Sequence, residues 1–505
     1  MEIVLRYLGY LLLIFSVFPG LPFFAAVYYG EPMLPFLVPS LVSVLAGILL
    51  LRRGKSGVVK ARLSSFDLPR SISLSALSFI VMSLLGALPY LLVAGTPFID
   101  SLFESVSGFS TTGLTIYSDV ESLPMSLLLW RAETQWVGGL GVVMLFLLII
   151  SAMRQQESLK ETTTKARAVA TLYQAQGASE KLEANMGKSI NNTVIIYGAY
   201  TLLGIILLGF AGLTTFEAIA ISFTAISTAG FSVTNHFYTT WPVLLVVSFL
   251  MVAGAVSFVA HNRLFRGYIW EFFRDHKLRF FLVSVAIAVF LVFAAVGDFK
   301  VAFFETVSAF TTTGFSITDI NLMPAFAIMV IMLSMIVGGM IGSTAGGIKI
   351  GRFRLMLAAI PWMVRKAASP SEAVIPLRID GKVVEDDTIL VTHAFIALYL
   401  IIIFVGTGVI MLTGESFLDS SFQTVSAIGG VGLQTTSPAG FHPVAKSVLM
   451  LAMLFGRLEI FPLLILGKFF YDRVKGNIRK REEEASARKL FYIKWIPSAL
   501  WKKKS

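Results

Sequence analysis

Not one cysteine occurs in this chain of 505 residues. Disulfides and thiolate metal sites are therefore excluded, although that absence fixes no compartment. Histidine is almost as rare, and His236, His261, His276, His393 and His442 are scattered with no metal-ligand spacing such as HExxH. No P-loop is present, and the glycines do not follow strands as a dinucleotide-binding fold requires. Charge is scarce too: Asp, Glu, Lys and Arg make up 14% of the sequence, against 56% hydrophobic residues and a mean hydropathy of +0.79. An ordinary soluble surface is not built from such a composition. The chain reads instead as an all-α polytopic membrane protein.

What the sequence has in quantity is long apolar runs. Stretches able to cross about 30 Å of hydrocarbon predict ten spanning helices, near 3–21, 34–51, 71–94, 125–153, 190–212, 240–261, 278–297, 322–345, 388–413 and 445–471. The first lies in "MEIVLRYLGYLLLIFSVFPGLPFF", which has a weak basic region and no small-residue cleavage pattern, so a retained helix is expected there. Four shorter runs, near 98–112, 215–229, 300–313 and 416–431, cannot cross alone and predict re-entrant segments.

All but four of the 41 lysines and arginines fall at the N-terminus and in 52–70, 154–188, 263–279, 349–382 and 468–504. Alternate loops thus carry the cations, which places them and both termini in the cytoplasm. The re-entrant runs fall on the other face, with Asp100, Glu104, Asp119, Glu121, Glu217, Asp298, Glu305, Asp319, Glu415 and Asp419. An acidic outer face raises the local cation concentration. The net charge of +11 follows from this topology and calls for no nucleic-acid partner.

One short pattern occurs four times: "ESVSGFSTTGLT" (104–115), "ISFTAISTAGFS" (221–232), "ETVSAFTTTGFS" (305–316) and "QTVSAIGGVGLQ" (423–434). The copies align on Gly113, Gly230, Gly314 and Gly432, at intervals of 117, 84 and 118 residues that each enclose two spanning helices. The unit is helix, re-entrant loop, helix. Two N-terminal helices (1–69) stand outside it, followed by repeats at 70–189, 190–275, 276–385 and 386–472 and a basic tail at 473–505.

A cation leaving water must exchange its hydration shell for other oxygens, and rings of backbone carbonyls supply them. Glycine admits the positive φ that turns successive carbonyls toward one axis. Ser110, Thr111, Ser227, Thr228, Thr311 and Thr312 either offer further oxygens or hold the loop. Close helix packing on small residues explains a single copy. Four aligned copies on one face favour a pore.

A glycine-rich stretch is the next outlier. In "GGMIGSTAGGIK" (338–349), Gly338, Gly339, Gly342, Gly346 and Gly347 interrupt what would otherwise be helix. Each costs about 0.8–1 kcal/mol there relative to alanine, so an unwound segment with Ser343 and Thr344 is expected. Arg457, near the middle of the last apolar run, is expensive in a membrane and must face a cavity or a partner. Glu459, two residues on, would point elsewhere on a helix. Arg131 and Glu133 lie in the first turns of a helix entering from outside, where long side chains can snorkel to the interface, and a structural role is expected for them. Glu104 and Glu305 are expected to begin two re-entrant helices, where carboxylates suit the N-terminus. Asp119, Asn235 and Asp319, just past three of the loops, either attract cations at the mouth or are plain solvated loop residues.

The four loops, with "QWVGGLG" (135–141), "GGMIGSTAGGIK" and "GRLEIFPLLIL" (456–466), resemble the Trk/Ktr/HKT superfamily of potassium transporters over essentially the whole chain. The two extra N-terminal helices make it most similar to the TrkH/TrkG type of potassium-uptake subunit. That resemblance implies four pseudo-equivalent units around one pore, potassium as the only ion at the site, no cofactor in the chain, and a cell-membrane location. It implies a selectivity filter at Ser110, Thr111, Thr112, Gly113, Ser227, Thr228, Ala229, Gly230, Thr311, Thr312, Thr313, Gly314, Gly429, Gly430, Val431 and Gly432. In plant relatives serine at the first of the four glycines accompanies sodium preference, so Gly113 argues for potassium. The fourth copy departs by having Gly429, Gly430 and Val431 in place of the hydroxyl run.

The resemblance further implies that 338–349, including Lys349, is an intramembrane gate held by Arg457, for which a structural ion pair is the alternative role. It implies a homodimer and a cytoplasmic TrkA-type nucleotide-binding subunit. The segments 154–188 and 349–385 and the tail 472–495 are candidates to dock that partner, or else a basic surface near anionic lipid. Two rival functions remain: a sodium- or proton-coupled potassium symporter, which usually shows inverted repeats, and a membrane-embedded enzyme, which needs one asymmetric constellation instead of a fourfold one.

Overall fold

The computed structural model describes residues 2–53, 68–158, 186–370, 373–468, 471 and 475. Long apolar runs become helices because a bilayer offers no water to unpaired peptide groups. Among the described residues six helices have the length and composition to cross: Val4–Tyr29, Leu34–Arg52, Ser73–Val93, Ser189–Phe210, His276–Val296 and Asp386–Met411. Their outward residues, Leu41, Leu45, Phe290 and Phe404 among them, are exposed apolar side chains suited to lipid.

Each aligned repeat then dips back. Gly95, Gly212, Gly297 and Gly414, all at left-handed φ, turn the chain out of the first helix of their repeats. The half-helices Phe98–Phe109, Thr215–Ile226, Phe299–Phe310 and Phe417–Gly429 follow. Thr214 caps the second in a capping box with Glu217, Asp298 caps the third, and Ser416 the fourth. Twelve residues rise only about 18 Å, so none of these elements crosses by itself. Glu104 and Glu305 do not begin their helices: each is the seventh residue, fully buried.

The second long helix differs among repeats. In repeat 1 it runs unbroken over Met125–Ser158. In repeat 2 the expected span at 240–261 is Trp241–Ala255 followed by Phe258–Phe265, bent by 107°. In repeat 4 the span at 445–471 is Pro443–Arg457 followed by Phe461–Lys468, bent by 106°. In repeat 3 the span at 322–345 stops at Val337, and helix resumes only at Ile350–Ala367. Among the described residues, length and composition thus give six spans, or eight with each bent pair taken as one crossing, while the long helix Met125–Ser158 and the shorter Ala325–Val337 lie at two further expected spans.

The N-terminal helices lean on repeat 1. Glu31 accepts hydrogen bonds from Met125 N (2.8 Å) and Ser126 N (2.9 Å), capping the helix that carries Arg131. On the opposite face the connection after Ile350–Ala367 contains a small hairpin, Arg378–Ile379 with Lys382–Val383, in which Asp380 accepts two hydrogen bonds from Arg354 at 2.6 and 2.7 Å. Those bonds hold the Asp380 carboxyl below the usual aspartate range. Of the segments expected to dock a partner, 159–185, 472–474 and 476–505 lie outside the described residues.

Candidate functional site

The half-helices end in four loops of one design. The residue two before each aligned glycine is left-handed: Thr111 (φ 52°), Thr228 (50°), Thr312 (57°) and Gly430 (62°). The aligned Gly113, Gly230, Gly314 and Gly432 are left-handed as well, at 86°, 75°, 95° and 97°. Left-handed residues alternating with ordinary ones turn successive carbonyls to one side of the chain. A threonine in this conformation stores about 1–3 kcal/mol of strain; glycine stores none, so Gly430 makes the departure of the fourth copy conformationally consistent with the others. Thr112 N, Ala229 N, Thr313 N and Val431 N each donate to the carbonyl five residues back, all at 2.9 Å.

The loops meet in a closed ring. A Cβ added to Gly113 would overlap the carbonyl oxygen of Ala229; at Gly230 it would meet that of Thr313, at Gly314 that of Val431, and at Gly432 that of Thr112. Each repeat therefore abuts the next, and the fourth returns to the first. The hydroxyls brace this ring. Ser110 and Thr112 share a 2.8 Å hydrogen bond, as do Thr311 and Thr313, while Ser227 donates to Phe223 O at 2.7 Å. Gln135, to which the sequence alone assigns no role, donates to Ala229 O (2.7 Å) and accepts from Phe231 N (3.0 Å).

Directly beneath lies the irregular segment 338–349, buried from Ser343 to Lys349. Met340 N donates to Ala255 O (2.9 Å), Thr344 N to Gly254 O (3.0 Å), and Phe258 N returns a bond to Gly342 O (2.9 Å). Gly346 N donates to the Thr312 hydroxyl (2.6 Å) and Gly347 N to Gly429 O (3.0 Å). A Cβ on Gly346 would overlap Gly429 O, and one on Gly338 would overlap Gly346 O. Only glycines let the segment fit so closely under the ring. Gly339 lies against Ala255 O, and Lys349, left-handed at φ 77°, donates its Nζ to Ala345 O.

Arg457 reaches this segment. Its Nη1 donates to Thr344 O at 2.6 Å and its Nη2 to Gly138 O at 2.9 Å, so one guanidinium joins repeats 1, 3 and 4. The helix ends at Arg457, and Glu459 and Ile460 are both left-handed at φ 62° and 63°. Glu459 pairs instead with Arg352, 2.6 Å away, and Arg352 also donates to Ile348 O and lies 4.2 Å from the centre of the Phe395 ring. Sequence reading did not single out Arg352; its only signal was a cation just past the glycine run.

Arg131 has the structural role expected of it, and neither it nor Glu133 reaches the interface. Both are buried, and Arg131 Nε lies 2.9 Å from Glu104, with its other donors on Ser232 O and the Thr115 hydroxyl. Glu104 also accepts from Thr115 Oγ1 and Ile116 N, eleven and twelve residues on; Glu305 does the same with Ser316 Oγ and Ile317 N. These carboxylates tie each half-helix to the outgoing chain beyond its glycine. Arg131→Met leaves Glu104 buried without its partner, and breaking such a pair costs about 3–5 kcal/mol. A clear fall in the thermal unfolding midpoint in detergent is expected, largely reversed by adding Glu104→Gln; an unchanged midpoint would refute the bracing role.

At the outer face Asp119 and Asn235 are bonded to each other (2.8 Å), and Asn235 also accepts from Val120 N (2.7 Å), clamping repeat 1 to repeat 2. Asp319 accepts from Asn321 N, whose side chain donates to Thr435 O and joins repeats 3 and 4. Lys446 pairs with Asp100 at 2.5 Å, joining repeats 4 and 1.

The TrkH family model, described as a cation transport protein, matches residues 60–471. A cation transporter of Methanocaldococcus jannaschii is 30% identical over 490 residues, covering 95% of this chain and 98% of its own. The Trk system potassium uptake protein TrkG of Escherichia coli is 30% identical over 78% of this chain and 84% of its own, and TrkH of Salmonella typhimurium 28% identical over 92% and 97%. The crystal structure of the potassium transporter TrkH from Vibrio parahaemolyticus shares the fold, with a TM-score of 0.78 and 24% identity over 92% of this chain and 98% of that one. With the repeated half-helices and glycine loops already in place, these matches make the conclusion plain: the chain is a multi-pass membrane protein and belongs to the TrkH family of cation transport proteins.

Proposed function

We propose that this chain carries potassium into the cell along the axis of its glycine ring. The four loops act as the selectivity filter, and 338–349 with Arg457 is the gate below it. The observation that carries this reading is the closed ring itself. Four carbonyl-presenting loops, three of them with a left-handed threonine, abut in cyclic order, at the ends of half-helices whose dipoles favour a cation. The relatives' names supply the ion. A second support is the segment 338–349, which fills the space under the ring with backbone that only hydrogen bonds to neighbouring repeats make tolerable.

The distribution of lysine and arginine supports cytoplasmic termini. Family membership supports a homodimer and a TrkA-type regulatory subunit on the cytoplasmic face. The test is cation flux into vesicles containing the purified chain, with no sodium or proton gradient imposed. Potassium and rubidium should enter and sodium much less. Flux that appears only with a sodium or proton gradient would make the protein a coupled carrier, and no cation flux even with the regulatory subunit added would overturn the proposal.

A further inference from the structure

We propose that the elbow between repeats 2 and 3, residues 258–275, binds anionic phospholipid of the inner leaflet and that lipid seated there holds the segment 338–349 in place. The inference rests on the reading above for the side on which the elbow lies and for the role of that segment.

The elbow starts where the second helix of repeat 2 turns by 107° at Ala255–Phe258. It ends where His276–Val296 begins, a helix of 21 residues. That helix is about 32 Å long, enough to fill the hydrocarbon layer, so the residues just before it lie at headgroup level. Those residues form an aromatic cluster flanked by arginines. Tyr268, Ile269 and Phe273 are exposed and Trp270 is 77% exposed, with Arg266 and Arg274 on either side. Aromatic rings with one apolar and one wet side settle at this boundary, and each nearby Lys or Arg strengthens attraction to an anionic leaflet. Between 263 and 279 there are five basic residues and two acidic ones, Glu271 and Asp275. Asp275 is already engaged, capping Lys277 N and lying 3.5 Å from Arg263. The net charge of the stretch is positive, which fits phosphate headgroups.

The elbow is also stiffly tied to the segment it would control. His261 bonds Ala253 O at 2.9 Å and the Tyr200 hydroxyl at 3.0 Å, fixing the turned helix to the one before it. The break in that helix frees Gly254 O and Ala255 O, and Thr344 N and Met340 N occupy them, while Phe258 N bonds Gly342 O. One backbone hydrogen bond, from Phe258 N, therefore joins the elbow itself to the segment, and two more join the segment to the helix end from which the elbow turns. A shift of the elbow cannot leave 338–349 where it was.

The test compares wild type with Trp270→Ala/Arg274→Gln, two exposed positions whose change leaves packing intact, in phosphatidylcholine vesicles with and without phosphatidylglycerol. Resting rubidium flux of wild type should be about fivefold higher without phosphatidylglycerol, the scale expected for one cation near an anionic surface. The variant should show the higher flux in both. Equal wild-type flux in the two lipids, or a variant that responds as wild type does, would overturn the coupling. In parallel, brominated phosphatidylglycerol should quench wild-type tryptophan fluorescence more than that of Trp270→Phe. Equal quenching would overturn the lipid assignment and leave the aromatic face to a soluble protein. Because quenching needs no transport, it decides the lipid site even if the flux experiment fails.

Discussion

Gly113→Ser is expected to abolish most of the preference for potassium over sodium, lowering the flux ratio about tenfold or more, equivalent to about 1.4 kcal/mol in relative ion binding. The reason is local and steric. Gly113 has φ 86°, which a side chain tolerates poorly, and an added Cβ would run into the carbonyl oxygen of Ala229. Ala229 O cannot simply swing aside, because Gln135 holds it at 2.7 Å. The ring must open at that joint, and a looser ring no longer discriminates by the placing of its oxygens. Flux ratios for rubidium and sodium in vesicles measure this directly. A ratio equal to that of wild type would remove the ring from the selectivity mechanism.

Arg457→Ala should produce the second large effect, a rise in resting flux of about tenfold or more. Its guanidinium holds Thr344 O and Gly138 O, and a hydrogen bond from a charged donor contributes about 1.5–3 kcal/mol, where about 1.4 kcal/mol is a factor of ten. Thr344 is the residue by which 338–349 also bonds Ile226 O and Gly254 O, so loss of Arg457 weakens one of several anchors. Arg457→Lys should lie between the two, since lysine keeps the charge but not the fork that reaches two carbonyls. Resting flux that does not change in Arg457→Ala would leave the arginine a purely structural bridge.

Much of this architecture was legible in the sequence because it is local and repeated. The aligned glycines, the half-length apolar runs and the glycine-rich interruption each follow from run length and backbone freedom. Even Gly95, Gly212, Gly297 and Gly414, at 17 or 18 residues before the aligned glycines, were readable in principle. What escaped depends on distant partners. The bend after Ala255 has no proline to announce it and exists because amides of Met340 and Thr344 take up the freed carbonyls. A structural role for Arg131 is legible from its sequence, but its partner is not, since nothing in its own helix reveals Glu104 on another. The aligned repeat alone suggests a helix start at Glu104, but the N-cap is Pro97, seven residues before that carboxylate.

The cyclic order of the ring also bears on how the protein is made. Repeat 1 leans on 2, 2 on 3, and 3 on 4, but the joint between 4 and 1 unites the two ends of the structure, with Gly432 on Thr112 and Lys446 on Asp100 across 346 positions of sequence. Synthesis delivers N-terminal parts first. For most of that time the emerging chain holds an open arc whose strained loops lack their last neighbour. Three repeats are therefore an unfinished circle, and the newborn protein closes its glycine ring only when its final quarter is inserted.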